Sequence, residues 1–191
     1  MSPDLDVDLD LDLGLPSPDE PMLAARAATE PDVAASALSV EGLDIRATSL
    51  RGAHHEILGQ PRQDAFGLLE GDGWIALGVA DGVGSCRYSE LGSVAALRGC
   101  LPALLDVVAG SSSDLDITAV TEPGRALIAE VGARHGVDGK DLSTTLTVAA
   151  VRTAPDPDGR RRCLVVMAGD SPVFVVDPEG AWSRISPEER G

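Results

Sequence analysis

The chain has 191 residues and a formal net charge of −16, from 31 acidic and 15 basic side chains. That length allows one domain of roughly 150 residues plus a tail, and the acidic balance argues against a nucleic-acid-binding protein, which needs a basic surface. Three cysteines without metal-ligand spacing argue against zinc and are typical of reduced thiols, and no apolar run is long enough to predict a signal peptide or a membrane span. We therefore expect a soluble cytoplasmic protein that contacts neither nucleic acid nor membrane.

The first 42 residues differ in composition from the rest of the chain. Residues 5–15 alternate Asp with Leu or Val, several prolines follow, and residues 1–40 hold nine acids and one base, hence a charge of −8. Such a composition predicts disorder, so we interpret residues 1–42 as an acidic, Pro/Ala-rich tail and residues 43–191 as the domain. A docking segment for a basic partner is the alternative interpretation of the tail.

Three strands are predicted in the first part of the domain. Residues Leu43–Leu50 alternate well enough for an edge strand, and residues 64–70 form a second short strand. A tight turn at residues 71–73 leads into Trp74–Ala80, whose apolar run predicts a strand buried on both faces. The last two strands would form a hairpin.

Two helices and further strands follow. Residues 89–108 carry apolar side chains at helical spacing, with Ser89 as the expected N-cap and Pro102 as an expected kink. A second helix is expected from about residue 122 to residue 135, capped by Thr121 and stopped by Gly136. Strands are then expected at residues 142–153, 163–168, 173–177 and 182–185. This order of elements predicts an α+β layered domain.

Acidic residues stand at three of the predicted strand ends. Asp81 follows the buried strand and precedes Gly82, whose carbonyl no Cβ obstructs, while Asp64 and Asp170 lie beside other strands. Carboxylates and carbonyls are the ligands of hard cations such as Mg²⁺ and Mn²⁺, and two such ions activate water for phosphoryl chemistry. For any one of these acids alone, a turn cap is the favoured interpretation.

Four short motifs together resemble the type 2C, metal-dependent protein serine/threonine phosphatases. They are Gln-Asp-Ala at 63–65, Val-Ala-Asp-Gly-Val-Gly-Ser at 79–85, Ser-Thr-Thr-Leu at 143–146 and Ala-Gly-Asp-Ser at 168–171. The resemblance implies a β-sandwich flanked by helix pairs. It also implies a centre of two Mn²⁺ or Mg²⁺ ions, with a third, weaker site, that hydrolyses phosphoserine and phosphothreonine. The implied substrate is a phosphoprotein made by a serine/threonine kinase, in bacterial signalling.

The resemblance also implies roles for single residues. Asp81 resembles the carboxylate that bridges both metals, Gly82 the carbonyl ligand of one metal, and Asp64 the acid that reaches the metals through water. Asp64 and Asp81 are therefore the expected catalytic residues. Asp170 resembles the outer ligand of the third metal, whereas the two threonines before residue 146 are expected to serve strand packing.

The phosphate-binding residue is where the chain departs from the family pattern. Gln63 replaces a common Glu, and Gly59 occupies the usual position of a phosphate-binding Arg. Arg62 or His55 is expected to substitute for that Arg. The alternative is that Arg62 is a solvated charge and that His55 belongs to an ordinary polar loop.

The remaining metal-binding acids of the family lie beyond its Gly-Asp-Ser motif, and the chain ends at Gly191 before they occur. We therefore expect the N-terminal portion of the domain, with an incomplete sandwich, an uncovered apolar face and little activity of its own. The alternative function is a non-catalytic pseudophosphatase, or interaction module, of the same fold. A serine hydrolase and a P-loop NTPase are disfavoured because their motifs are missing from the sequence.

Overall fold

A computed structural model describes residues 32–110 and 115–186. In chain order the elements are β1 (Val33–Val40), β2 (Leu43–Leu50), α1 (Ala53–Ile57), β3 (Ala65–Gly71), β4 (Trp74–Ala80), α2 (Ser89–Ala109), α3 (Ile117–His135), β5 (Leu146–Arg152), β6 (Cys163–Ala168), β7 (Phe174–Val176) and β8 (Trp182–Arg184). Helices and antiparallel sheets are combined in layers, so the predicted α+β class is confirmed.

The central layer is a four-stranded antiparallel sheet in the order β3-β4-β5-β6. The predicted β3–β4 hairpin is present, and its turn at Asp72 and Gly73 has φ angles of 49° and 76°. Positive φ at both turn residues matches the right-handed twist of the paired strands, which explains why Asp-Gly stands there. Strand β5 begins at Leu146 rather than at residue 142, because Gly139–Leu142 form a short 3₁₀ helix first.

Helix α2 covers one face of this sheet, and α3 packs against α2. The core between α2 and the sheet contains Leu97, Leu101 and Leu104 of α2, together with Ala76 and Val148 of the sheet. By length and composition α2 is apolar enough to cross a membrane, but more than half of its apolar stretch is buried inside the protein. Its apolar character is therefore explained by burial between the sheet and α3.

The helix boundaries differ from the sequence prediction at both N-termini. Helix α2 begins at Ser89 itself, so the N-cap position belongs to the preceding residue, and the helix continues past Pro102. Helix α3 begins at Ile117, because the Asp116 side chain accepts a hydrogen bond of 3.1 Å from the Ala119 N–H. The C-terminus is as predicted, since Gly136 adopts the left-handed conformation that ends helices.

Strand β1 lies in the stretch that composition predicts to be disordered. That expectation is wrong for residues 32–40, because β1 pairs with all eight residues of β2. Alternate residues of β1, including Ala34 and Leu38, turn inward and supply a partly buried face. Residues 1–31 of the expected tail lie outside the described part of the chain.

The β1–β2 hairpin crosses the sheet face that the helices leave open. At one end the Ser49 hydroxyl donates to the Asp64 carbonyl, at 3.0 Å, and at the other Arg161 donates to the Glu41 carbonyl, at 2.6 Å. These anchors lie at opposite corners of the four-stranded sheet, so the hairpin passes over its middle. Ile75, near the start of β4, is fully buried. The expectation that β4 is buried on both faces holds except at Leu77, which is partly buried, and at Val79, which is 48% exposed.

The β7–β8 hairpin has apolar side chains that nothing in the described chain covers. Phe174, Val175, Val176, Trp182 and Ile185 are between 46% and 71% exposed. A hairpin of two short strands has little stability of its own. Within the described residues this separate hairpin therefore presents an apolar surface, whereas the expected uncovered face of the sandwich stays a prediction.

Candidate metal centre and its cleft

Strand register brings Asp64 and Asp81 together. The last paired residues of β3 and β4 at this end are Ala65 and Ala80, so the two acids stand opposite each other one position further on. The Asp81 side chain lies close enough to that of Asp64 to change its pKa. Partial burial, and then the hydrogen bond and the charge of Asp81, raise the pKa of Asp64 to about 6, while the charges of Arg62 and His55 act in the opposite direction.

Gly82 is held between three other segments of the chain. Two backbone bonds join this turn to the segment that precedes β5, from Thr145 N–H to the Asp81 carbonyl at 2.8 Å and from Val83 N–H to the Ser143 carbonyl at 3.0 Å. Neither bond uses the carbonyl of Gly82. A Cβ at this position would lie 2.7 Å from the Gln63 carbonyl oxygen, so only glycine fits.

A fully buried hydroxyl, that of Ser93 on α2, supports both acidic turns. Its oxygen lies 2.8 Å from the Gln63 carbonyl oxygen and 3.0 Å from the Thr144 hydroxyl. The Thr144 hydroxyl also lies 3.0 Å from the Asp81 carbonyl oxygen, and its single proton can be donated to that carbonyl or to Ser93, but not to both. Thr144 therefore does more than pack within a strand. Sequence reasoning missed Ser93, although a polar residue within the apolar stripe of a helix is a usable signal.

Arg62 is turned into the protein rather than toward the cleft. It is only 2% exposed, and its Nη1 donates to the Ser49 hydroxyl, at 2.8 Å, and to the Asp64 carbonyl. The interpretation of Arg62 as a solvated loop charge is therefore wrong. Its guanidinium supports the backbone of Asp64 in this structure, which does not place it on the cleft surface as a phosphate-binding residue requires.

His55 lies on the short helix α1, where a loop was expected, and close to the same site. Its Nδ1 is 2.9 Å from Gln60 Oε1, and its ring edge would be 3.9 Å from a Cβ at Gly84. Its charge also lowers the pKa of Asp64, as noted above. The structure thus brings His55 near the acids and leaves its role in phosphate binding a prediction.

A cleft opens between the end of the central sheet and β2. It is lined by Thr48, Ser49, Leu50, Asp64, Ala65, Phe66, Val79, Ala80, Asp81 and Ser171. Asp170 is exposed but is not among the lining residues. Within residues 32–110 and 115–186, no three Asp, Glu, His or Cys side chains converge on one point. The structure therefore brings two of the expected acidic ligands together and leaves Asp170 apart.

The oxygen atoms at this end of the sheet fit a hard divalent cation. The neighbouring carboxylates of Asp64 and Asp81 supply oxygen donors of the kind that Mg²⁺ and Mn²⁺ prefer, and within the described residues no backbone hydrogen bond uses the adjacent Gly82 carbonyl. Burial first, and then the neighbouring Asp81 carboxyl, raise the pKa of Asp64, so the fully ionised pair is unfavourable without a counter-ion. A bound cation would remove that penalty.

Comparison with known proteins gives one match. The family model described as protein phosphatase 2C covers residues 51–191, well over half of the chain, including every motif discussed above. No curated protein and no solved structure matches the chain. On the strength of the family match, this chain belongs to the protein phosphatase 2C family.

Proposed function

We propose that this protein is a metal-dependent phosphatase that acts on phosphoserine and phosphothreonine in phosphoproteins. One observation carries the proposal: Asp64 and Asp81 hold their carboxyl groups together on the wall of an open cleft. The phosphatase class follows from family membership. The metals, the Ser/Thr preference, the kinase-derived substrate and the cytoplasmic location are part of the proposal.

The chain's own residues would hold the cofactor as follows. The Asp64 and Asp81 carboxylates, with the Gly82 carbonyl beside them, would hold Mn²⁺ or Mg²⁺. Such ions supply Lewis acidity and lower the pKa of water when they are bound. The backbone bonds with Ser143 and Thr145, and the Ser93 hydroxyl, hold the backbone that carries these oxygens before the cation arrives. A preorganised oxygen set avoids part of the ordering cost of binding.

Metal-linked stability and hydrolysis test the proposal together. We expect Mn²⁺ to raise the melting temperature of the full chain, since a ligand at about 100 times its Kd stabilises a fold by roughly 2.7 kcal/mol. Hydrolysis of a phosphothreonine peptide, which we expect to be slow for this chain alone, should also require Mn²⁺, with still less hydrolysis of a phosphotyrosine peptide. Asp81→Asn should lose both effects.

Asp72→Asn is the matched control, because Asp72 is an exposed acid at the opposite end of β4 and its φ of 49° suits Asn equally well. It should retain the full Mn²⁺ response. The proposal would be contradicted if the melting temperature of the parent chain did not change with Mn²⁺. It would also be contradicted if Mn²⁺ raised the melting temperature of Asp81→Asn as much as that of the parent.

A non-catalytic module of the same fold is the second candidate. It is favoured by the finding that only two acids meet at the cleft in the described part of the chain, with the Arg62 guanidinium directed elsewhere. Such a module should bind a phosphopeptide without Mn²⁺ and without hydrolysing it. Equal phosphopeptide affinity of the parent and Asp81→Asn would support this candidate over the phosphatase.

A further inference from the structure

We propose that Ser171, and not its neighbour Asp170, is the residue of the Gly-Asp-Ser turn that contacts the substrate, by donating a hydrogen bond to the phosphoryl oxygens of the phosphomonoester. This inference rests on the proposed phosphatase function and names a binding residue within the same cleft. Ser171 lines that cleft together with Asp64 and Asp81, whereas Asp170 does not.

The turn itself explains why the serine faces inward. Gly169 has a φ of 110°, which side chains with a Cβ rarely adopt, and a Cβ there would lie 2.8 Å from the Cβ of Thr145. The backbone of the turn is therefore pressed against β5. Thr147 also donates a hydrogen bond to the Ser171 carbonyl, at 3.4 Å. Both contacts fix Ser171 at the cleft wall.

The Ser171 hydroxyl is linked to the backbone of a proposed metal ligand. Its oxygen lies 3.1 Å from the Thr145 hydroxyl, which accepts a hydrogen bond of 3.1 Å from the Asp81 N–H. Because Thr145 accepts from that N–H, its own proton is available for Ser171, and the Ser171 proton is then available for a ligand. Hydrogen bonds in such a chain strengthen one another when an anion lies at the end.

The other cleft residues offer few alternative hydrogen-bond donors to phosphate. The ten lining residues include no Lys, Arg or His. The Ser49 hydroxyl is already used between Arg62 and the Asp64 carbonyl. Thr48 is exposed, and no hydrogen bond from the described residues anchors its hydroxyl. Ser171 is therefore the lining hydroxyl that is both held in place and directed along a hydrogen-bonded chain.

Phosphate binding to the Mn²⁺-loaded full chain tests the proposal. The probe is inorganic phosphate, titrated by calorimetry after Mn²⁺ affinity has been measured on the same sample. Ser171→Ala should bind phosphate about tenfold more weakly or worse, as expected for loss of a hydrogen bond to a charged group. Ser171→Thr should restore most of the affinity. Ser183→Ala removes an exposed hydroxyl outside the cleft and should change nothing.

Each result separates the two proposals. Unchanged phosphate affinity in Ser171→Ala, or no phosphate binding by a parent chain that does bind Mn²⁺, would overturn the role of Ser171 while leaving the phosphatase proposal intact. Reduced Mn²⁺ affinity in Ser171→Ala would also overturn it, because the hydroxyl would then serve the metal. A parent chain that binds no Mn²⁺ would overturn both proposals.

Discussion

The hydroxyl oxygen of Ser93 lies 2.8 Å from the carbonyl oxygen of Gln63, and this contact ties helix α2 to the residue that precedes Asp64. Ser93→Ala should therefore lower the free energy of unfolding by about 1–3 kcal/mol, because it leaves buried polar atoms unpaired. It should also weaken Mn²⁺ binding, since the turns that carry Asp64 and Asp81 lose a shared support. Urea unfolding and Mn²⁺ titration measure the two effects.

Ser183→Ala is the control for Ser93→Ala, because the Ser183 side chain is exposed on β8. Surface substitutions of this kind usually change stability by less than about 0.5 kcal/mol. If both variants unfold at the same urea concentration, the Ser93 contact contributes nothing to stability, and the prediction is wrong.

The stability of the metal-free protein should rise as the pH falls, and Asp64 should cause part of that rise. The pKa of Asp64 is about 6 in the folded chain against an ordinary value of 3.8, so the folded state binds this proton more tightly than the unfolded state does. The stabilising contribution is complete below 3.8 and is lost as the pH rises through about 6. Melting temperatures across this window, in a chelating buffer, measure it.

Asp64→Asn isolates this group from the general effect of a chain with a net charge of −16. The pH-dependent rise in melting temperature should be smaller in Asp64→Asn than in the parent, while Asp72→Asn should behave like the parent. A rise of equal size in all three proteins would mean that the charge of Asp64 is not coupled to folding.

Gly169→Ala should destabilise the fold by about 1–3 kcal/mol through backbone strain and by a further amount through contact with Thr145. The added Cβ would lie within 2.9 Å of two side-chain atoms of Thr145. Gly159→Ala is the matched variant, because Gly159 has a φ of 81° and no atom within 4 Å of a Cβ. Chemical denaturation should show a larger loss of unfolding free energy for Gly169→Ala than for Gly159→Ala. Equal losses would mean that contact with Thr145 adds no destabilisation.

Arg62→Met should destabilise the protein, because it removes the guanidinium that donates to Ser49 and to the Asp64 carbonyl. The expected loss is about 1–3 kcal/mol, from buried acceptors left unpaired. Arg160→Met, at a position that is largely exposed, should have little effect. A folded, fully stable Arg62→Met variant with impaired phosphate binding would instead favour the role in phosphate recognition expected from the sequence.

The exposed β7–β8 hairpin should promote self-association. Trp182 is 71% exposed and contacts Phe174 at 6.0 Å between ring centres, so the two rings present one apolar surface. Trp182→Ser should lower the average mass measured by light scattering at high protein concentration. Ile117→Ser removes a single exposed apolar residue, on α3, and should leave the mass unchanged. Equal masses for the parent and Trp182→Ser would contradict the prediction.

Local sequence patterns were sufficient to predict most elements and the two central acids. Alternation and turn residues predicted β2, β3, β4 and their hairpin, because strand pairing across a two-residue turn depends on residues that are close in sequence. The same pairing puts Asp64 opposite Asp81, so this part of the site followed from short-range information. The fully buried α2 contact residues were likewise visible in the 3.6-residue period.

The tertiary structure decided what depends on contacts between distant segments. Strand β1 is stabilised by pairing with β2 and by the Arg161 anchor, 120 residues away, which its composition does not show. Contacts between separate strands and a helix likewise determine the inward position of Arg62 and the support from Ser93. They also place Ser171, rather than Asp170, in the cleft wall. The sequence alone therefore determined which acids face each other, while long-range packing determined which neutral side chains surround them.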